Sequence, residues 1–139
     1  MEFKNKQNEY LILPDGREVW LSRSVAVVGI VCLIKNNEAY FLISKRGKGS
    51  SDYQGLYNLT CGYLDFNESS VEAFIREVYE ECGLDITPYM VDTTEENNTP
   101  WYISTSPLEN RQNVSITHYI IHSVDELPET KIMNIVEAD

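Results

Sequence analysis

The chain has 139 residues, 42% of them hydrophobic, and a formal net charge of −11. That length suits one domain with a proper core. The acidic balance excludes a general nucleic-acid binder, which needs a basic surface, and no apolar run approaches the length of a membrane span.

The first ten residues, MEFKNKQNEY, are polar and lack the apolar core of a secretion signal, so a cytoplasmic protein is expected. Cys32, Cys61 and Cys82 stand at no metal-binding spacing and read as reduced thiols. Cys61 in particular reads as a small buried residue rather than a reactive thiol. Residues 10–13 and 17–21 are β-rich runs around Pro14, Asp15 and Gly16, the pattern of a hairpin. This hairpin makes residues 1–23 an N-terminal extension, expected to pair at a sheet edge or with another subunit. Trp20 within it reads as a core or interface residue.

Residues 24–35, SVAVVGIVCLIK, form a near-continuous β-branched run and predict a central buried strand. Asn36 and Asn37 make the turn, and residues 39–44 predict its antiparallel partner. Residues 45–51, KRGKGSS, are the one basic cluster, either a solvated loop or a loop that faces phosphate. Residues 54–60 predict a short strand.

The sequence then reads GYLDFNESSVEAFIREVYEECGL over residues 62–84. Val71, Phe74, Ile75, Val78 and Cys82 make one apolar stripe at helical spacing. Ser69 with Glu72 reads as a capping box, and Gly83 suits the left-handed residue just past a helix end. The helix is predicted from Ser69 or Ser70 to Cys82. Glu77, Glu80 and Glu81 sit at i, i+3 and i+4, on one flank beside the stripe, and are expected along the margin of the helix. Three like charges so placed repel one another. A hard divalent cation, Mg²⁺ or Mn²⁺, removes the objection.

After the helix, residues 84–87 predict an extended segment. Residues 92–111 read as a long polar loop containing Trp101 and Tyr102, which either stack on a nucleobase or tuck onto the domain. Residues 113–124 predict a strand with Ile116, His118, Ile120 and His122 on one face. The histidines read as polar groups on a sheet. There are no internal repeats.

The spacing Gly62, five residues, Glu68, seven residues, then Arg76, Glu77, Val78, Tyr79, Glu80, Glu81, Cys82, Gly83, Leu84 resembles the signature of the Nudix hydrolase family at every specified position. The resemblance implies an α/β protein, a single domain over residues 1–139 built as an α/β/α sandwich with a mixed sheet. It also implies a further strand and helix, so the C-terminus reads either as truncated or as a natural short form, with part of the pocket missing or supplied by a neighbouring chain in either case. The implied activity is Mg²⁺- or Mn²⁺-dependent hydrolysis of a nucleoside diphosphate linked to another moiety X. The alternative is an inactive domain of the same fold that senses a nucleotide or ADP-ribose.

Carried over by position, Glu77, Glu80 and Glu81 would hold the metal, with the backbone carbonyl of Cys61 as a further ligand. One of these glutamates, or a later one, would deprotonate the attacking water; Glu137 is the downstream candidate and Glu109 a weaker one. Arg46 is the implied phosphate contact, with Trp101 as a candidate base platform. Glu68 and Arg76 would pair and brace the helix, and Gly62 and Gly83 would permit the turns at its ends. The implied partner is a small-molecule nucleotide, with monomer and homodimer both open. Candidate substrates are ADP-ribose, NADH, a nucleotide sugar, a dinucleoside polyphosphate and a nucleoside triphosphate.

Overall fold

The structure is a computed structural model and describes residues 1–46, 55–90, 99–108 and 111–131. Its centre is β3 (Val25–Lys35), the long β-branched run. β3 pairs in parallel with β9 (Val114–Ser123) along ten partners, from Val25 opposite Val114 to Ile34 opposite Ser123. Its other edge is shared. β7 (Thr60–Tyr63) pairs antiparallel with residues 26–29, and β4 (Glu38–Phe41) pairs antiparallel with residues 32–35. β8 (Tyr102–Ser104) closes the far side, antiparallel to β9. The sheet is therefore mixed.

The shared edge changes the strand expected at residues 39–44. Asn36 and Asn37, at φ 51° and 63°, make a tight turn of the left-handed kind that asparagine tolerates. The chain then follows β3 only as far as the bond from Leu42 N–H to the Val31 carbonyl, at 3.0 Å. Beyond that point the edge belongs to β7. The chain peels away, and β5 (Ser44–Lys45) pairs with β6 (Tyr57–Asn58) in a separate ribbon.

One face of the sheet is covered by α1 (Ser70–Cys82). Val27, Val31, Leu33 and Ile120 from the sheet meet Ala73, Phe74 and Val78 from the helix, and Leu84 and Ile86 close the core beyond its end. The termini are set locally. Ser69 and Glu72 form a reciprocal capping box, and Gly83 caps the C-terminus at φ 68°. α1 is the one α-helix among the described residues. The second helical layer is not among them, and residues 132–139 lie outside them. No helix among the described residues is long and apolar enough to cross a membrane.

Two sequence expectations are corrected here. Residues 84–87 do not begin an extended segment. Asp85 accepts from the Thr87 N–H (2.9 Å) and hydroxyl (2.6 Å), and Pro88 fixes the next φ, so the chain makes a 3-10 turn over Thr87–Tyr89. The polar stretch after it is not loop throughout, because the free edge of β9 recruits β8 from its middle. Residues 91–98 and 109–110 of that stretch lie outside the described residues.

The N-terminal hairpin forms as expected from its turn, with β1 (Glu9–Ile12) antiparallel to β2 (Glu18–Leu21). It pairs with no other described strand. Tyr10 and Trp20 meet edge to face at 5.4 Å, and Trp20 is exposed rather than part of this chain's core.

Candidate active site

β7 and α1 build the site between them. Gly62 in β7 lies directly beneath Glu77, so that a β-carbon on Gly62 would collide with the Glu77 carboxyl. The helix approaches the strand there because glycine has no side chain. One helical turn on, Glu81 accepts from the Cys61 N–H and from the Ser44 hydroxyl, both at 3.3 Å. Glu77 and Glu81 are 5% and 7% exposed. This corrects the expected placement. Two of the three glutamates are tucked between helix and strand, and only Glu80 stands at the open margin.

Arg76 ties the group together. Its Nε donates to Glu68 at 3.0 Å and its Nη2 to Glu68 at 2.8 Å and to the Tyr63 carbonyl at 3.0 Å. Its Nη1 donates to Glu77 at 2.6 Å and to Glu80 at 3.0 Å. Glu68 also accepts from the Asp65 N–H at 2.7 Å. This fork-shaped pairing is the geometry a guanidinium favours. The Arg76 hydrogen bonds hold the Glu68 carboxyl below its usual range, and Glu68 with Glu77 raises Arg76.

These residues face a cleft of about 730 Å³ at the end of the sheet where β3 and β9 begin. Glu77, Glu80, Glu81, Arg76, Cys61 and Arg46 all line it. Burial, with the Glu81 and Glu77 carboxylates adding to it, pushes the Cys61 thiol up to about 11. The thiol is therefore protonated and a poor nucleophile at neutral pH.

Other sequence candidates fall elsewhere. Glu68 pairs with Arg76 behind the cleft, and Gly83 serves the helix end. Trp101 does not line the cleft. It is 63% exposed and packs edge to face on Tyr119 at 6.3 Å, beside Tyr102. Glu137 and Glu109 lie outside the described residues. His118 is 3% exposed, hydrogen-bonded to the Ser70 hydroxyl at 2.7 Å and stacked on Phe74, and burial lowers its pKa. His122 lies against Tyr89. Neither histidine lines the cleft.

The cleft also holds residues that sequence reasoning did not single out. Arg23 comes from the link between hairpin and β3, and Arg111, Gln112 and Asn113 come from the segment just before β9. Arg23 donates to the Gln112 carbonyl, and through Nη2 to those of Thr105 at 2.7 Å and Asn113 at 3.5 Å. No motif marks these residues, because the parallel pairing of β3 with β9 brings them together from positions about 90 apart. Tyr63 is the one aromatic lining the cleft among the described residues.

Among the described residues no group of three or more His, Cys, Asp or Glu side chains stands arranged around a metal position. The donor chemistry nonetheless fits a hard cation. Glu77 and Glu80 already share one cationic group, the Arg76 Nη1, and every side-chain donor they offer is a carboxylate oxygen.

The NUDIX domain family model matches residues 23–137. No curated protein sequence matches. Among solved structures, a MutT/nudix family protein from Enterococcus faecalis is similar at a TM-score of 0.56 and 18% identity, over 72% of this chain and 37% of that one. The NUDIX domain of Shewanella oneidensis NrtR, complexed with ADP ribose, is similar at 0.56 and 15%, over 85% of this chain and 70% of that one. A bifunctional NMN adenylyltransferase/ADP ribose pyrophosphatase from Francisella tularensis, complexed with AMP and a Mn ion, is similar at 0.55 and 21%, over 84% of this chain and 31% of that one. The chain thus spans about a third of the length of two of these proteins. At such identities the likeness shows the fold.

Proposed function

The chain belongs to the NUDIX domain family, and from that membership we propose that it is a pyrophosphohydrolase acting on a nucleoside diphosphate linked to a further group X, with Mg²⁺ or Mn²⁺. The observation that carries this reading is the placement of Glu77, Glu80 and Glu81 on one cleft, two of them buried. Buried charge is costly unless a cation stands against it. Arg76 donates to Glu77, Glu80 and Glu68, and a divalent cation would add positive charge at the same carboxylates.

Glu77, Glu80 and Glu81 would hold the metal, with the Cys61 carbonyl as a further donor. When bound, the metal supplies charge neutralisation at the phosphate oxygens and lowers the pKa of a water. The chain's own residues do the rest. Arg76 and Glu68 fix the helix against the β7 loop, so the carboxylates keep their aim. Arg46 donates to a phosphate oxygen. A carboxylate of the glutamate set takes the proton of the attacking water. Tyr63, at the cleft wall, offers its face to the nucleobase, a role better placed there than at Trp101.

A hydrolysis screen in Mg²⁺ over nucleoside diphosphate derivatives, with Glu81→Gln in parallel, tests this. Turnover by the wild type and a loss of orders of magnitude in the variant are expected. Wild-type binding without turnover would instead support the sensing reading. A folded Glu81→Gln variant with normal Mg²⁺-dependent turnover would sink the assignment.

A further inference from the structure

The protein carries a net charge of −11 and has five arginines. Four of them, Arg23, Arg46, Arg76 and Arg111, line the one cleft. Asp65, Glu77, Glu80 and Glu81 line it too, so four guanidinium groups balance four carboxylates there, within a protein that is strongly acidic as a whole. The arginines stand at two places. Arg76 and Arg46 are at the β7 side: Arg76 donates to the Tyr63 carbonyl of β7, and the Arg46 N–H bonds the Leu56 carbonyl just ahead of β6 and β7. Arg23 and Arg111 are at the β9 side.

The spacing between those places follows from the sheet. β7 and β9 flank β3 on opposite sides, with Gly62 beside Val27 and Val114 beside Val25. Two strand spacings separate them, about 10 Å. That is longer than a single pyrophosphate group. A scissile pyrophosphate held at the glutamates therefore leaves the β9 side to whatever lies beyond it.

The β9 side is also a built wall. Leu108 and Arg111 exchange backbone hydrogen bonds at 2.8 and 3.0 Å. The Gln112 amide donates to the Leu108 carbonyl at 3.3 Å, and that of Asn113 to the Ser115 hydroxyl at 3.4 Å. Arg23 clamps the Gln112 and Asn113 carbonyls from the other side. Arg111 is thus presented from a braced backbone, which limits the entropy lost on binding.

We infer that Arg111, on the wall braced by Arg23, is a subsite for a phosphate beyond the scissile pyrophosphate, so that X is itself phosphorylated. The substrate class is then a nucleoside triphosphate or longer polyphosphate, in preference to one whose X is an uncharged sugar. This rests on the hydrolase reading for what is cleaved, but not for what is bound.

Titration calorimetry on the full chain in Mg²⁺ buffer compares inorganic tripolyphosphate with pyrophosphate. Tripolyphosphate is expected to bind about tenfold more tightly, the effect of one charge-assisted hydrogen bond. Arg111→Gln removes that gain and leaves pyrophosphate affinity unchanged, while Arg111→Lys retains part of the gain. Equal losses for both ligands, or no loss for either, overturn the inference. An Arg111-dependent gain in a protein that hydrolyses nothing keeps the subsite and removes the hydrolase reading. Hydrolysis without that gain does the reverse.

Discussion

Gly62 and Glu77 occupy one space: the Glu77 carboxyl lies where a side chain on Gly62 would begin. The pair sets how closely α1 approaches β7 and how deeply the first metal-candidate carboxylate is buried. Gly62→Ala must push the carboxyl aside or lift the helix. Overpacking of this kind costs about 1–3 kcal/mol, and a shift of about 1 Å at a reacting centre costs about a hundredfold. The expected result is a protein still folded by circular dichroism at 25 °C whose turnover of the wild type's best panel substrate falls about a hundredfold. Unchanged turnover would show that Glu77 does not need its present position.

Glu68 and Arg76 predict how the protein behaves in acid. The Arg76 hydrogen bonds hold the Glu68 carboxyl below its usual value of 4.5. A carboxylate with a lowered folded pKa contributes stability that is present above the unfolded value and lost as pH falls through the folded one. Urea unfolding in EDTA should show stability declining below about pH 4.5. Glu68→Gln should flatten that decline and cost about 1.5–3 kcal/mol at pH 7, the worth of hydrogen bonds to a charged group. An acid limb of the same steepness in the variant would place the coupling elsewhere.

His118 predicts a second limb at higher pH. It is buried beneath α1, and burial lowers its pKa below the ordinary 6.5. The unfolded chain therefore takes up the proton first. Stability is full above about pH 6.5 and falls as pH drops below it. Thermal midpoints measured from pH 7.5 to 5 should decline, and His118→Gln should decline less. Ser70→Ala, which removes the partner at 2.7 Å, should cost about 1 kcal/mol at pH 7.5. A wild-type midpoint that is flat across this range would show that His118 takes up its proton without unfolding.

The helix from Ser70 to Cys82, its capping box, its glycine stop and the residues of the glutamate set are all legible in the local sequence. So are the two long strands and the Asn36–Asn37 turn. These are short-range matters, decided by hydrogen bonds within a turn or two and by apolar spacing along one element. Tertiary structure alone decided which edges met. The parallel pairing of β3 with β9 brought Arg23 to Gln112 and Asn113 and so made the far wall of the cleft. The competition of β7 and β4 for one edge of β3 cut short the strand expected at residues 39–44. The free edge of β9 took Tyr102 into a strand and Trp101 packs on Tyr119 beside it, so neither aromatic lines the cleft. Glu77 and Glu81 are buried because Gly62 and Cys61 lie under them, and nothing within the helix itself encodes that neighbour. Edge selection depends on surfaces made by residues distant in sequence, and local pattern carries no record of them.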